Sequence, residues 1–328
     1  MRRRDFIKVI VGSPALWSLA AHGQQSPMPV IGYLGLENPE RYASRLRAFR
    51  DGLGSTGYEE GRNVIIEYRW AEGHNDRVPA LVGELVDRRV AVIVAPGGVP
   101  GSLAAKAATS TIPIVFEMGA DPIALGLVSN LNHPGSNITG AVSLNAEVNP
   151  KRLELLHETL PAASIFGLLV NPTNPANAQP TAKAMMSAAD ALGLRLQIFE
   201  AHTENEFDAV FASLTKQQIH GLAIANDTFY ATRSAELAAA AARYAVPAIH
   251  QSREFPAAGG LMSYGGSFME THRQAGVYAG RILKGDTPGD LPVFQSTKVE
   301  LFINLRTAKT LGLAIPLTLL GRADGVIE

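Results

Sequence analysis

The feature that most constrains the fold is a repeated order of strand and helix patterns along the chain. Short apolar runs typical of strands alternate with stretches of helical periodicity, and the whole series occurs twice. The first series of apolar runs covers 30–36, 63–70, 91–95 and 112–118, and the second covers 165–172, 195–201, 220–226 and 246–252. Strands that alternate with helices form βαβ units in a mostly parallel sheet. We therefore expect an α/β protein with two lobes of equivalent topology.

The segments after the second series predict that the lobes share parts of the chain. Residues 259–264 and 298–304 have strand patterns, and 268–284 has a helical pattern between them. A chain that crosses several times between two lobes forms a hinge. Glycine and proline, which concentrate in connecting segments, mark the candidate crossings at 135–140, 259–266 and 287–292.

The expected division of the chain follows from these elements. We expect the first lobe to hold 28–143 and 265–292, and the second to hold 144–264 and 293–328. Hydrophobic residues make up 46% of the 328 residues, which is enough for a packed core in each lobe.

The N-terminus has the layout of an export signal. Basic residues end at Lys8, and apolar or small residues follow from Val9 to Ala21. This run is shorter than the roughly 20 apolar residues of a membrane-spanning helix. Residues 3–8 also match the twin-arginine export motif R-R-x-F-[LI]-K, with an ordinary Sec signal as the alternative. We expect 1–27 to be an export signal of the twin-arginine type with a short linker, and the mature protein to be periplasmic.

Composition and missing motifs exclude several classes of function. The chain has no cysteine, which excludes disulfides, thiolate metal sites and a lipid-accepting cysteine. A net charge of −1 lacks the excess of basic residues that is typical of nucleic-acid-binding proteins. The chain has no G-x-S-x-G, no H-E-x-x-H and no G-x-G-x-x-G that opens a helix, and its eight histidines are scattered. We expect no enzyme activity, no metal site and no cofactor.

Candidate site residues lie where the predicted strands end, because ligands of parallel α/β sheets bind outside the carboxyl ends of strands. Gly97 and Gly98 precede a helix, so their N–H groups could bind an anion; a tight turn with a Ser102 cap is the alternative. The polar candidates of the second lobe are Asn171, Thr173, Asn226, Asp227 and Thr228. The aromatic candidates for a ligand wall are Tyr33, Phe229 and Tyr264, although aromatic residues are more often part of a core.

Four stretches of the sequence resemble the substrate-binding proteins of ABC transporters, in the subfamily with tryptophan- and tyrosine-binding members. These stretches are 112–140, 253–265, 278–293 and 300–328. The resemblance implies the type I periplasmic-binding fold: two Rossmann-like lobes with parallel sheets, joined by a hinge of three crossovers. It also implies a small-molecule ligand between the lobes, with ABC permease and ATPase subunits in the inner membrane as partners. We expect a monomer.

The resemblance also implies roles for single residues. Related amino-acid binders have an acidic residue at the strand end occupied here by Asp227, where it pairs with the ligand ammonium; the alternative is an N-cap for the next helix. We expect a periplasmic protein that delivers an amino-acid-like, zwitterionic molecule to an ABC importer. The alternative is a periplasmic sensor that passes the ligand signal to a membrane receptor or kinase.

The export hypothesis makes a prediction about Arg3 and Arg4. Replacing both by lysine is expected to leave the precursor in the cytoplasm, because the arginine pair is the core of the motif. Cell fractionation and immunoblotting measure the distribution. The matched control replaces the adjacent pair Arg88 and Arg89 by lysine and leaves export unchanged. Normal export of the first variant would contradict the twin-arginine route.

Overall fold

The computed structural model describes residues 28–328, which form two α/β lobes. The expected export signal at 1–27 lies outside the described residues. The strands in chain order are β1 Val30–Gly35, β2 Ile65–Trp70, β3 Val92–Ala95, β4 Ile114–Met118, β5 Ile138–Ser143, β6 Ile165–Val170, β7 Arg195–Glu200, β8 Gly221–Ile224, β9 Ala248–His250, β10 Met262–Gly266, β11 Phe294–Ser296, β12 Val299–Asn304 and β13 Gly325–Ile327.

Helices follow most of these strands, as the alternating pattern predicts. They are α1 Ala43–Gly54, α2 Val78–Asp87, α3 Val99–Ala108, α4 Asn149–Thr159, α5 Pro175–Ala191, α6 Asn205–Lys216, α7 Thr228–Ala231, α8 Ser234–Arg243, α9 Glu254–Ala257, α10 Phe268–Leu283, α11 Leu305–Thr310 and α12 Leu317–Leu320. Within residues 28–328, no helix has both the length and the apolar character needed to span a membrane.

Each lobe is built around one sheet. The strand order is β11-β5-β4-β3-β1-β2 in the first lobe and β13-β12-β10-β9-β8-β6-β7 in the second. All neighbouring strands are parallel except β10 and β12, which are antiparallel. Strands such as β3 and β4 are buried along their whole length, because helices cover both faces of a parallel sheet. Each sheet therefore has a hydrophobic core on both faces.

The chain crosses between the lobes three times. It crosses after β5, after β10 and between β11 and β12. Two expected boundaries are corrected by the sheets. Residues 265–266 belong to β10, where they pair with β12 in the second lobe, and 294–296 form β11, which pairs with β5 in the first lobe. A strand of three residues has too little pattern to be recognised in a sequence.

The hinge is organised around Arg152, which is fully buried at the start of the second lobe. Its guanidinium donates to the carbonyl oxygen of Tyr264 from Nε at 2.6 Å and to Oδ1 of Asn145 from Nη2 at 3.2 Å. It also donates to Oδ1 of Asn149. Oδ1 of Asn145 accepts the N–H of Gly266 at 2.9 Å as well. These bonds join the first crossing to the second. Burial lowers the pKa of Arg152 to about 9.

Helix α10 returns from the second lobe and packs against α1 at very short range. A Cβ atom on Gly276 would lie 2.0 Å from the carbonyl oxygen of Phe49, and one on Gly52 would lie 1.9 Å from the carbonyl oxygen of Arg273. Only glycine permits backbones to approach this closely. The contact attaches the late helix to the first helix of the chain.

We expect Gly276→Ala to destabilise the protein by roughly 1–3 kcal/mol, because the obstructing atom belongs to the backbone and cannot rotate away. The matched control is Gly83→Ala in α2, where a Cβ meets nothing within 4 Å. The control is expected to stabilise by roughly 0.5–1 kcal/mol through helix propensity. Thermal denaturation measures both variants. A Gly276→Ala variant as stable as the control would contradict the close packing.

Candidate functional site

The strand ends of the two lobes face each other across a cleft. An outer cleft of about 860 Å³ lies between 72–76 and 99–103 of the first lobe and 173–176, 202–205, Phe229 and Arg233 of the second. A deeper inner cavity of about 30 Å³ is lined by residues of both lobes, among them Gly98, Glu117, Asn174, Asn226, Asp227 and Thr228. The inner cavity is much smaller, but it holds the buried acidic groups. The inner cavity is therefore the candidate for polar recognition of a ligand.

Asp227 lies at the end of β8 and is buried at the inner cavity. Its carboxylate accepts hydrogen bonds from Nδ2 of Asn171 at 3.2 Å, from Nδ2 of Asn174 at 2.8 Å and from the N–H of Phe229 at 2.9 Å. The last bond caps α7, so the cap role and the position in the cleft occur together. Burial raises the pKa of Asp227, and the three hydrogen bonds oppose this effect.

Asn226 is part of a network of amides beside the same cavity. Its Oδ1 accepts from Nδ2 of Asn149 at 2.5 Å, and its Nδ2 donates to Oδ1 of Asn177 at 3.2 Å. Asn149 in turn accepts from Arg152 of the hinge. A continuous line of hydrogen bonds therefore runs from the hinge to the cavity wall.

The turn before α3 lies at the inner cavity, but some of its backbone groups already form hydrogen bonds within the protein. The N–H of Gly98 donates to the carbonyl oxygen of Glu117 at 2.9 Å, and the carbonyl oxygen of Gly97 accepts Oγ1–H of Thr228 at 2.9 Å. The expectation that the Gly98 N–H binds a ligand carboxylate is therefore corrected in this structure. Gly98 has a φ of 95°, which favours glycine. The N–H groups of Val99 and Gly101, in the first turn of α3, have no intrahelical acceptor.

The three aromatic candidates lie in different places. Phe229 lines the outer cleft, with the guanidinium carbon of Arg233 3.9 Å from its ring centroid. Tyr33 is fully buried, with its ring centroid 5.1 Å from that of Phe49, so the expectation that it covers a ligand is wrong. It lies on the face of β1 that α1 and α10 cover. Tyr264 is half-buried and packs against the core of the second lobe, outside the inner cavity.

Thr173 and Thr228 both take part in contacts between the lobes. Oγ1 of Thr173 accepts from Nδ2 of Asn75 at 3.2 Å, and Thr228 donates to Gly97 as described above. Asn171 supports Asp227 rather than the opposite lobe. The second-lobe polar candidates therefore do lie together at the cleft.

The sequence reasoning missed three polar residues of the cleft: Glu117, Asn177 and Arg233. The signal for Glu117 was a single acidic residue inside the apolar run of 112–118. Burial raises the pKa of Glu117 to about 7, although Arg45 and a hydrogen bond from Thr271 oppose the increase. Among residues 28–328, no group of three or more histidine, aspartate or glutamate side chains is placed to bind a metal ion.

A network of alternating charges joins the lobes beside the outer cleft. Nη1 of Arg233 in the second lobe lies 2.8 Å from Oε2 of Glu37 in the first, and both side chains are buried. Arg41 in the first lobe contacts Glu204 at 2.5 Å and Glu236 at 2.9 Å in the second. Glu204 also contacts Arg233 at 3.0 Å. Burial raises the pKa of Glu37, and the charge of Arg233 opposes the increase.

Two lobes joined by three crossings, with polar strand ends that face a common cleft, define a protein that encloses a small molecule between its lobes. Residues 34–327 match the model of the family described as ABC transporter substrate binding protein, so the chain belongs to that family. The family consists of ligand-binding proteins rather than enzymes, and membership implies a small-molecule ligand and an ABC transporter as partner.

Relatives and solved structures agree with this assignment. A tyrosine-binding protein of Clostridioides difficile (strain R20291) is 26% identical over 266 residues, which are 81% of this chain and 75% of the relative. A conserved domain protein of Vibrio cholerae has a TM-score of 0.82 at 26% identity, with coverage of 91% of this chain and 99% of that one. The fold is the type I periplasmic-binding fold, with two mostly parallel sheets.

Two further structures differ in how well their shape matches. The ABC domain from Streptococcus pneumonia in complex with L-Trp has a TM-score of 0.81 at 24% identity, with coverage of 91% of this chain and 99% of that one. The ligand-free, open structure of a substrate-binding protein with adhesive properties from Clostridium difficile has a TM-score of 0.62 at 25% identity and the same coverage. Both structures share the fold described above.

The buried pair of Glu37 and Arg233 predicts how the lobes respond to a mutation. Glu37→Gln keeps the size of the side chain but leaves Arg233 without its buried carboxylate, which is expected to disfavour closure by roughly 2 kcal/mol. Small-angle X-ray scattering should then give a larger radius of gyration than for the wild type. The control is Glu154→Gln, which breaks an exposed pair with Lys151 within the second lobe. A wild-type scattering curve for Glu37→Gln would contradict a role in closure.

Proposed function

We propose that the protein is an exported, periplasmic receptor that binds an amino-acid-like zwitterion and delivers it to the permease and ATPase subunits of an ABC importer. The observation that carries the proposal is the environment of Asp227. In the described part of the chain, the hydrogen-bond donors to this buried carboxylate are neutral: two side-chain amides and one backbone N–H. Arg233 acts on it through its charge but does not bond to it. A ligand ammonium supplies the positive charge that such a group needs to remain ionised.

The opposite side of the cleft favours a ligand carboxylate. Helix α3 begins at Val99 and points its N-terminus at the cleft, where its dipole favours negative charge. The available donor is the first-turn N–H group of Val99, which lines both the inner cavity and the outer cleft, because the N–H of Gly98 is already bonded to Glu117. Ammonium and carboxylate of one ligand would then bind to different lobes, so that binding favours the closed form.

The outer cleft and the similar proteins favour a ligand with an aromatic side chain. The outer cleft has a volume of about 860 Å³ and an aromatic wall residue, Phe229. Two aromatic rings that stack or meet edge to face gain more free energy than the burial of their apolar surface alone provides. The relative that is named a tyrosine-binding protein and the structure solved with L-Trp support the same class of ligand.

The location and the partners rest on the N-terminal sequence and the family. The arginine pair of residues 3 and 4 supports export to the periplasm. Family membership supports docking on a transporter, to which the protein would present its closed form as a monomer.

Asp227→Asn tests the proposal. Asparagine keeps an acceptor for the helix cap but removes the charge, so the affinity for L-tyrosine or L-tryptophan is expected to fall by more than tenfold. Isothermal titration calorimetry measures the dissociation constants. The control is Asp121→Asn, because Asp121 also caps a turn, with the N–H of Ile123 2.8 Å from its Oδ1, but is exposed.

Two outcomes would count against the proposal. An unchanged dissociation constant for Asp227→Asn would remove Asp227 from ligand recognition. Wild-type protein that binds neither amino acid would remove the aromatic amino acids as ligands.

A further inference from the structure

The segment that joins β1 to α1, residues 36–42, carries two charged side chains that reach the opposite lobe. Glu37 is buried, and its Oε2 lies 2.8 Å from Nη1 of Arg233. Arg41 follows in the same segment, where Oδ1 of Asn38 accepts its backbone N–H at 2.9 Å and so stabilises the turn. One short segment of the first lobe therefore presents both a carboxylate and a guanidinium to the second lobe.

Arg41 forms three contacts with the second lobe. Its Nη2 lies 2.5 Å from Oε1 of Glu204 and 2.9 Å from Oε1 of Glu236, and its Nη1 donates to the carbonyl oxygen of Thr232 at 2.8 Å. A guanidinium has its donors in a fixed fork, so one arginine can bind several acceptors at once. Glu204 directly precedes α6, whereas Glu236 lies in α8. Arg41 therefore holds two separate elements of the second lobe.

Glu204 joins the two arginines of the charge network, which come from different lobes. Its Oε1 lies 3.0 Å from Nε of Arg233, in addition to its contact with Arg41. The charges therefore alternate in sign in the order Glu37, Arg233, Glu204, Arg41 and Glu236. Three of these four ion pairs join the lobes, and the pair of Arg233 with Glu204 lies within the second lobe. Separation of the lobes would break all three.

The network is partly shielded from solvent. The side chains of Arg233 and Glu37 are 9% and 3% exposed, whereas those of Arg41 and Glu236 are 22% and 36% exposed. An isolated exposed ion pair contributes little, but charges that share partners in a network contribute more. Dissolved salt screens exposed charges more strongly than buried ones. The contacts of Arg41 should therefore weaken in concentrated salt more than the pair of Arg233 with Glu37.

We propose that this network is a latch that controls how fast a bound ligand leaves the cleft. A molecule enclosed between the lobes leaves only after they separate, and lobe opening often limits the rate of release. The latch stabilises the closed lobes, so it lowers the dissociation rate constant of the ligand. The proposal goes beyond the proposed function, because it applies to any ligand that the two lobes enclose.

The outer members of the latch, Arg41 and Glu236, allow a test that leaves the ligand site intact. In the described part of the chain, neither side chain lines the outer cleft or the inner cavity. A change in ligand release on mutation of either residue would therefore not come from a lost contact with the ligand. Arg47 provides the matched control, because it is an exposed arginine on α1.

The experiment compares wild type, Arg41→Gln, Glu236→Gln, the double variant and the control Arg47→Gln. Stopped-flow fluorescence measures the association and dissociation rate constants of L-tyrosine and L-tryptophan, in dilute and in concentrated salt. We expect Arg41→Gln to raise the dissociation rate constant roughly three- to tenfold without lowering the association rate constant. Concentrated salt should raise the dissociation rate constant of the wild type more than that of Arg41→Gln. The control should behave as wild type.

The double variant shows whether the two residues act through their contact. Glu236→Gln should raise the dissociation rate constant less than Arg41→Gln, because Arg41 keeps its contact with Glu204. The double variant should release the ligand no faster than Arg41→Gln alone, since the pair of Arg41 with Glu236 can be lost only once. Independent residues would instead have effects that multiply in the double variant.

Three outcomes would overturn the latch. These are a wild-type dissociation rate constant for Arg41→Gln, effects of the two variants that multiply, and a wild-type dissociation rate constant that does not change with salt. If Arg41→Gln fails to fold, Glu236→Gln and the salt dependence of the wild type decide.

Wild-type protein that binds neither amino acid would refute the proposed class of ligand without refuting the latch. Small-angle X-ray scattering without added ligand then decides. Arg41→Gln should have a larger radius of gyration than both the wild type and Arg47→Gln, because its lobes separate more readily. Equal radii for the three proteins would overturn the latch.

Discussion

The relative position of the two lobes depends on a buried positive charge that has no acidic partner in the described structure. Arg152 is fully buried, yet its hydrogen bonds go to a carbonyl oxygen and two amide oxygens. Burial of a charge without such bonds is prohibitively costly. The oxygens come from the segments that cross between the lobes, so the guanidinium must hold these segments together. The cleft exists in its present shape because the hinge satisfies this charge.

The same guanidinium is connected to the cavity that we assign to the ligand. Asn149 accepts from Arg152 and donates to Asn226, and Asn226 donates to Asn177 at the wall of the inner cavity. Hydrogen bonds in a low-dielectric interior strengthen one another, and a buried network is stable only when each member is satisfied. A change in the position of Asn226 would therefore alter the hydrogen bonds of Arg152 at the hinge. The candidate ligand site and the hinge therefore belong to one network of hydrogen bonds.

The fold could be predicted from the sequence more fully than the site. Strand and helix patterns are local, so the two α/β lobes and the late return of α10 were visible in the order of apolar runs. Residues at strand ends, such as Asp227 and Thr228, could be placed at the cleft by the rule for parallel sheets. The failures have physical causes. The direction of Tyr33 depends on which face of β1 the helices cover, and the N–H of Gly98 is bonded to a neighbouring strand end. Neither relation is encoded by nearby residues.

The split of the first lobe has a consequence for the order of folding during synthesis. Residues 144–266 contain the first five strands of the second sheet without interruption, whereas the first lobe needs α10 and β11, which follow them in the chain. The close glycine contact between α1 and α10 cannot form until residues 268–283 have been made. Contacts of such high sequence separation form slowly. The N-terminal half of the first lobe therefore stays incomplete on the ribosome, with its α10-binding face uncovered, while most of the second lobe is assembled.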